Sequence, residues 1–173
     1  MLSRRGLVRL TPGYDLTWKQ LPVLLAHCPA ARCEVVLHQH VPLFHTRHCL
    51  FAASLSDGTK CGDCGWRCES HGIELLDRNG AAHPVLSDSM GRSTVFNAAV
   101  QSAAEHLPQM KRVGLRHFRV ELLRESPAQA RDLLALYARL LADDVGRPAL
   151  LRRLRALCPA GVTRGTPAHE RVR

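Results

Sequence analysis

The chain has 173 residues, of which 46% are hydrophobic and 5% aromatic, and its formal net charge is +9. This composition excludes a largely disordered chain, and no apolar run approaches the roughly 18 residues that a transmembrane helix needs. The length is also short of the roughly 250 residues of a complete (β/α)8 barrel. The first residues lack the apolar stretch of a secretory signal, so we expect a cytoplasmic protein without membrane insertion.

The positive charge comes almost entirely from arginine. Of the 24 basic residues 21 are Arg, scattered along the chain, and the densest group is LRRLR at 151–155. A solvated Arg-rich surface is the simpler interpretation, and a nucleic-acid-binding surface is the alternative.

The first half of the chain predicts one helix, three short strands and a long irregular segment. Leucines at three- and four-residue spacing predict a helix over 16–28, and EVVLH predicts a strand over 34–38. The irregular segment spans 40–71. Two further strands, 73–77 and 83–87, flank an Asn-Gly turn and predict a hairpin.

The second half of the chain predicts three helices and one strand. Apolar residues recur at helical spacing over 94–112 and predict a helix. Apolar and polar residues alternate in RHFRVELL and predict a strand over 116–123. The next helix starts after Ser126, a good N-cap with Gln129 at the capping-box spacing. A last helix over 147–157 leads to a polar, basic tail.

Strands that alternate with helices predict an α/β fold with parallel strands. We predict one α/β domain over 1–146 that contains a metal-binding loop at about 40–71. A short helix and a basic flexible tail follow over 147–173.

The cysteines carry the strongest chemical signal. Four of the seven lie within 20 residues, spaced C-x11-C-x2-C-x3-C: Cys49, Cys61, Cys64 and Cys68. Thiolates at such spacing suit zinc or an iron–sulfur cluster, and a bound metal would also order the long loop. Redox chemistry at the C-x-x-C pair and structural thiols with incidental clustering are the alternatives.

Other candidate groups are less specific. His45 and His48 flank the first cysteine of the cluster and are candidate ligands or substrate-binding groups, although isolated histidines are more often structural. The sequence contains neither a metalloprotease helix motif, a nucleophile elbow nor a P-loop. No catalytic residue is therefore assigned.

Two segments resemble the C-terminal part of the collagenase-like peptidase family U-32. They are EVVLHQHVPLFHTRHCLFAASLSDG and DCGWRCESHGIELLDRNGAAHPVLSDSMGRSTVFNAAVQSAAEHLP. The resemblance extends from about residue 8 to 142, and a weaker similarity is present at 161–166. It implies a TIM-barrel-like core, of which this chain would supply the later βα units.

The same resemblance implies a function. Although the family is named for peptidases, several members are better described as proteins with a four-iron four-sulfur cluster on four cysteines. They act in oxygen-independent hydroxylation of RNA bases or of a ubiquinone precursor. We expect such a role rather than proteolysis, in a truncated chain, and loss of activity through the truncation is the alternative.

Three of the implied cluster ligands match Cys49, Cys64 and Cys68. The fourth ligand of the family falls in a D-x-G-C-R-N-T-V-F-N stretch, where this chain has Gly91 in the cysteine position. Cys61 is the candidate substitute. An open iron on three thiolates, zinc with a histidine, and a decayed site are the alternatives.

A barrel that lacks its first strands would have an incomplete site and unpaired strand edges. We therefore expect a second chain that supplies the missing half, and RNA as a further partner. The alternative function is a non-catalytic, zinc-stabilised module that binds nucleic acid.

Overall fold

A computed structural model describes residues 6–16, 20–57, 63–142 and 146–163. The chain divides into two compact units, residues 1–39 with 100–173 (unit 1) and residues 40–99 (unit 2). The described helices and strands follow in chain order: α1 Gln20–His27, β1 Glu34–Gln39, β2 Pro42–Thr46, α2 Leu50–Leu55, β3 Ile73–Leu76, β4 Ala82–Ser87, β5 Ser93–Phe96, β6 Val100–Ser102, α3 Leu107–Arg112, β7 His117–Val120, α4 Pro127–Ala142, α5 Arg147–Leu157 and β8 Val162–Thr163.

Unit 1 is a mixed sheet packed against helices. Its strand order is β7-β1-β6-β8, in which β1 and β6 are antiparallel while β1 with β7 and β6 with β8 are parallel. The core contains apolar side chains from the sheet and from α1, α3, α4 and α5, with Leu37, Leu107 and Leu140 almost fully buried. The tyrosine hydroxyl of Tyr137 lies in this core, 2.8 Å from Ser102 Oγ and 3.1 Å from His38 Nδ1.

Unit 2 is a four-stranded antiparallel sheet in the order β2-β5-β4-β3, with α2 beside it. The β3–β4 hairpin turns at Asn79 and Gly80, where Gly80 has φ +80°. The side chain of Asp77 stabilises this turn, because its Oδ1 accepts the backbone N–H groups of Asn79 at 2.8 Å and Ala81 at 2.9 Å. The small core of unit 2 contains Phe51, Val85 and Val95.

Most of the predicted elements are confirmed. The strand at 34–38, the hairpin and the helix over 147–157 are present within a residue, and the strand predicted over 116–123 is present as the shorter His117–Val120. The capping box is also confirmed: Ser126 Oγ accepts the Gln129 N–H at 3.3 Å, and Gln129 Oε1 accepts the Ser126 N–H at 2.8 Å. The predicted helix over 16–28 begins at Gln20 among the described residues.

Two predictions are wrong. Residues 94–112 do not form one helix, because they contain β5, β6 and only the short α3. Apolar residues that alternate along two strands and then line one helical turn mimic a helical period over the whole segment. The segment 40–71 is not uniformly irregular, since it contains β2 and α2, and β2 is specified by pairing with β5 rather than by a buried face of its own.

The mixed α/β class is confirmed, whereas the predicted partial TIM barrel is not. Neither described sheet closes on itself, and each is an open array of four strands. Unit 1 combines parallel and antiparallel neighbours, while unit 2 is antiparallel throughout, so a set of consecutive parallel βα units is not what the chain forms. Within the described ranges, no helix has the length and apolar character needed to cross a bilayer.

Candidate metal centre

Cys49 lies between β2 and α2, where it caps the helix. Its Sγ accepts the Ala52 N–H at 3.4 Å, and the residue is only 9% exposed. Amide hydrogen bonds to cysteine sulfurs tune the potential of a bound cluster. Cys49 is therefore a buried sulfur whose position is fixed by the start of α2.

Two hydroxyl groups from the neighbouring strands help to position Cys49. Ser93 on β5 is fully buried, and its Oγ accepts the Leu50 N–H at 3.0 Å. Ser87 at the end of β4 places its Oγ 3.8 Å from Cys49 Sγ. Neither serine is predictable from the sequence, because only strand pairing brings residues about 40 positions away to this helix.

Cys64 and Cys68 follow on a sharply turned segment. Gly65 and Trp66 both have positive φ, +64° and +53°, and Trp66 is the only non-glycine residue with positive φ in the described part of the chain. A bulky residue rarely adopts this conformation, so the turn is held by its surroundings. It leads directly into a short 3-10 turn, Arg67–Glu69, that carries Cys68.

All three matched cysteines belong to the core of unit 2. Cys49 and Cys64 are buried and Cys68 is half-buried, and they pack with Phe51 and Val95. The thiols thus share one apolar cluster, although no three His, Cys, Asp or Glu side chains of residues 6–16, 20–57, 63–142 and 146–163 are grouped closely enough to hold a metal ion. Cys61 lies outside the described residues.

Position 91 lies in the turn between β4 and β5, next to Cys49. The link runs through Ser87, whose Oγ donates to the carbonyl of Arg92 at 3.3 Å and lies beside the Cys49 sulfur. Gly91 is buried and has φ +74°. A cysteine at this φ would cost about 1–2 kcal/mol of backbone strain. Glycine adopts the same conformation without that strain.

Asp88 holds that turn together. Its Oδ1 accepts the backbone N–H groups of Arg92 and Met90, each at 2.9 Å, and its Oδ2 accepts Arg92 Nε at 2.7 Å. The Arg92 backbone N–H makes the largest contribution to lowering the pKa of Asp88 below its ordinary value. The carboxylate therefore fixes the backbone around Gly91.

The candidate histidines lie on the sheet surface. His45 on β2 is exposed and its Nδ1 lies 2.8 Å from Thr94 Oγ1, while His48 is exposed and its backbone N–H donates to Thr46 Oγ1 at 3.1 Å. Neither side chain belongs to the buried cluster of the three cysteines. Their role as ligands stays a prediction.

Comparison with protein families assigns the chain to a family. A family model described as Peptidase family U32 matches residues 1–160, which is most of the chain. The protein belongs to peptidase family U32. The match confirms the family predicted from the cysteine motifs and extends beyond the predicted limits of 8 and 142 on both sides.

Membership in U32 does not by itself assign an activity to this chain, because related folds carry different chemistry. Searches of curated proteins and of solved structures return no significant match. The cysteine cluster of unit 2 is therefore the feature on which a function is proposed.

Proposed function

We propose that this U32 protein binds an iron–sulfur cluster through Cys49, Cys64, Cys68 and Cys61, and that it acts in oxygen-independent hydroxylation. The observation that supports the proposal is that three cysteines from two separate loops, 15 and 19 residues apart along the chain, share one buried core. Thiols grouped in an apolar core suit soft-metal ligation.

The donor types suit the cluster, with one ligand position changed, and Cys49, Cys64 and Cys68 must move closer together to bind it. Three thiolates can hold three corners of a four-iron cluster, and the glycine at position 91 supplies no fourth. Cys61, in the C-x-x-C pair with Cys64, is proposed as the fourth thiolate. When bound, such a cluster supplies one-electron transfer.

The polypeptide would orient the cysteine sulfurs and exclude water from them. The α2 N-terminus and Ser93 hold Cys49 in place, while the left-handed Gly65-Trp66 turn brings the segment with Cys64 and Cys68 back to the same core. Phe51 and Val95 cover the sulfurs on the core side, and an apolar shell of this kind sets the potential of a cluster.

The substrate class follows from the resemblance and the charge. The resemblance implies either an RNA base or a ubiquinone precursor, and a net charge of +9 favours the polyanion. Arg152 and Arg153 on α5 are exposed, as a phosphate-contacting surface requires. We therefore propose RNA as the substrate.

The test is metal content after purification without oxygen. We expect brown protein with broad visible absorption and about four iron and four sulfide per chain. Cys64→Ser and Cys68→Ser are each expected to abolish this absorption, because each removes a thiolate ligand. Cys158→Ser, in unit 1, is the matched control and is expected to leave iron content unchanged.

Two outcomes separate the alternatives. Colourless protein that retains one zinc per chain would overturn the cluster and favour the zinc-stabilised nucleic-acid-binding module. Full iron content in Cys61→Ser would show that the cluster has only three protein thiolates. Mass spectrometry of RNA incubated with the loaded protein then tests the hydroxylation itself, as a gain of one oxygen that depends on the cluster.

A further inference from the structure

A second pair of cysteines lies in unit 1, away from the candidate ligands. Cys28 follows the last turn of α1, and Cys33 precedes β1. Their sulfur atoms are 3.2 Å apart, which is closer than two sulfurs in simple van der Waals contact, and no disulfide is formed among the described cysteines. The C-x4-C spacing alone does not predict this contact, because it depends on how the chain turns between helix and strand.

The two thiols have different environments. Cys33 is completely buried, whereas Cys28 is partly exposed. Burial, together with the hydrogen bond and charge of Cys28, raises the pKa of Cys33 to about 11. Cys33 therefore keeps its proton and donates it toward the Cys28 sulfur, which is the more accessible of the two.

We propose that Cys28 and Cys33 form a reversible thiol–disulfide site that reacts with low-molecular-weight disulfides. The accessible Cys28 thiolate attacks the disulfide RSSR, which gives a mixed disulfide on Cys28 and releases one thiolate RS−. Cys33 then loses its proton to solvent and attacks the Cys28 sulfur, which releases the second RS−. In total, two protein thiols and one RSSR become one protein disulfide and two RSH.

The geometry favours closure of this disulfide. A disulfide needs its sulfurs at about 2.05 Å, so they must approach by only about 1 Å. The intervening Ala30–Arg32 segment is a single 3-10 turn whose backbone is already fixed, since the Cys33 N–H donates to the Ala30 carbonyl at 3.1 Å. The reaction therefore needs side-chain movement rather than refolding.

The disulfide would link two elements that line a cavity of unit 1. Leu21 on α1 and Val35 and Val36 on β1 line this cavity, together with Tyr14 and Gln39. The two cysteines join the elements that form its walls, so oxidation would tie the end of α1 to the start of β1. In proteins from reducing compartments, such disulfides are usually transient and regulatory.

The test is peptide mapping after equilibration of the anaerobically purified protein with mixtures of oxidised and reduced glutathione. Arg32 lies between the two cysteines, so trypsin separates them into peptides 20–32 and 33–47, and only the disulfide keeps these peptides joined. The other five cysteines fall outside these two peptides. We expect the joined pair to accumulate as the oxidised fraction rises and to disappear after reduction.

Three variants make the test specific. Cys33→Ala is expected to stop at the glutathione adduct of Cys28, Cys28→Ser is expected to give neither adduct nor link, and Cys158→Ser is expected to behave like the parent protein. Circular dichroism checks that each variant is folded. The proposal is overturned if Cys28 of the parent protein carries only the glutathione adduct, or if both thiols remain reduced in excess oxidised glutathione. Neither result depends on the metal content of unit 2.

Discussion

At the scale of single residues, the six cysteines that the structure describes have three kinds of environment. Cys49, Cys64 and Cys68 share the core of unit 2, Cys28 and Cys33 are in contact, and Cys158 is buried in unit 1. Close spacing in the sequence predicted the first group, since a short loop keeps its residues near one another. The contact between Cys28 and Cys33 was not predicted, nor were the serines beside Cys49, because these depend on tertiary packing.

Tyr137 is a buried residue whose hydroxyl serves two strands. It contacts His38 on β1 and Ser102 on β6, and burial raises its pKa, so the hydroxyl keeps its proton. Tyr137→Phe leaves these polar groups with one partner fewer in an apolar core. We expect a loss of about 1–3 kcal/mol in the free energy of unfolding, measured by urea denaturation.

Tyr14→Phe is the matched control for this substitution, because Tyr14 is 46% exposed. We expect its free energy of unfolding to change by less than about 0.5 kcal/mol. Equal losses in the two variants would contradict a special role for the buried hydroxyl of Tyr137.

At the scale of secondary-structure elements, prediction succeeded where local chemistry decides. The β3–β4 hairpin and the capping box of α4 depend on residues within four positions of one another, and both are present. The helix predicted over 94–112 is wrong because strand pairing overrides an apolar periodicity that is compatible with both a helix and a strand. Residues 93–96 alternate between buried and half-buried as β5, paired on both sides with β2 and β4.

An ion-pair network joins β1, β7 and the N-terminal segment. Glu34 Oε1 accepts Arg119 Nε at 2.7 Å and the Thr11 hydroxyl at 3.2 Å, and Oε2 accepts Arg9 Nη1 at 3.3 Å. Burial acts to raise the pKa of Glu34, but the hydrogen bond and charge of Arg119, with Thr11 and Arg9, lower it overall. Ionised Glu34 therefore stabilises the contact between three segments that are far apart in sequence.

This network predicts a pH dependence of stability. A folded-state pKa below the unfolded value of about 4.3 gives a stabilisation that is complete above that value and is lost as the pH falls through the folded pKa. We expect Glu34→Gln to lower the stability by about 1 kcal/mol at pH 7 and to weaken the decline in Tm between about pH 5 and 3. Thermal melts over this range measure both effects.

Asp132→Asn on the exposed surface of α4 is the control for the loss of one carboxylate. This variant is expected to have the same stability at pH 7 as the parent protein and the same decline in Tm between about pH 5 and 3. If Glu34→Gln leaves the decline in Tm at acid pH unchanged, other carboxylates determine the pH dependence of stability.

At the scale of the whole molecule, the two units differ in the size of their cores. Among the described residues, sixteen buried side chains form the core of unit 1 and only six form that of unit 2. Two of those six are candidate metal ligands, Cys49 and Cys64. A unit of about 60 residues buries only about 60% of the surface that its unfolded chain exposes and is marginally stable, so the proposed metal binding would be coupled to the folding of unit 2.

This coupling predicts that loss of the metal affects the two units unequally. In hydrogen exchange, we expect removal of the metal by a chelator to reduce protection in β2, β4, β5 and α2, while β1, β7 and α4 keep theirs. Cys68→Ser should reproduce the metal-free pattern without the chelator, and Cys158→Ser should match the loaded parent protein. Equal loss of protection in both units would instead show that the metal stabilises the whole chain as one cooperative structure, because the sixteen-residue core of unit 1 could then not remain folded on its own.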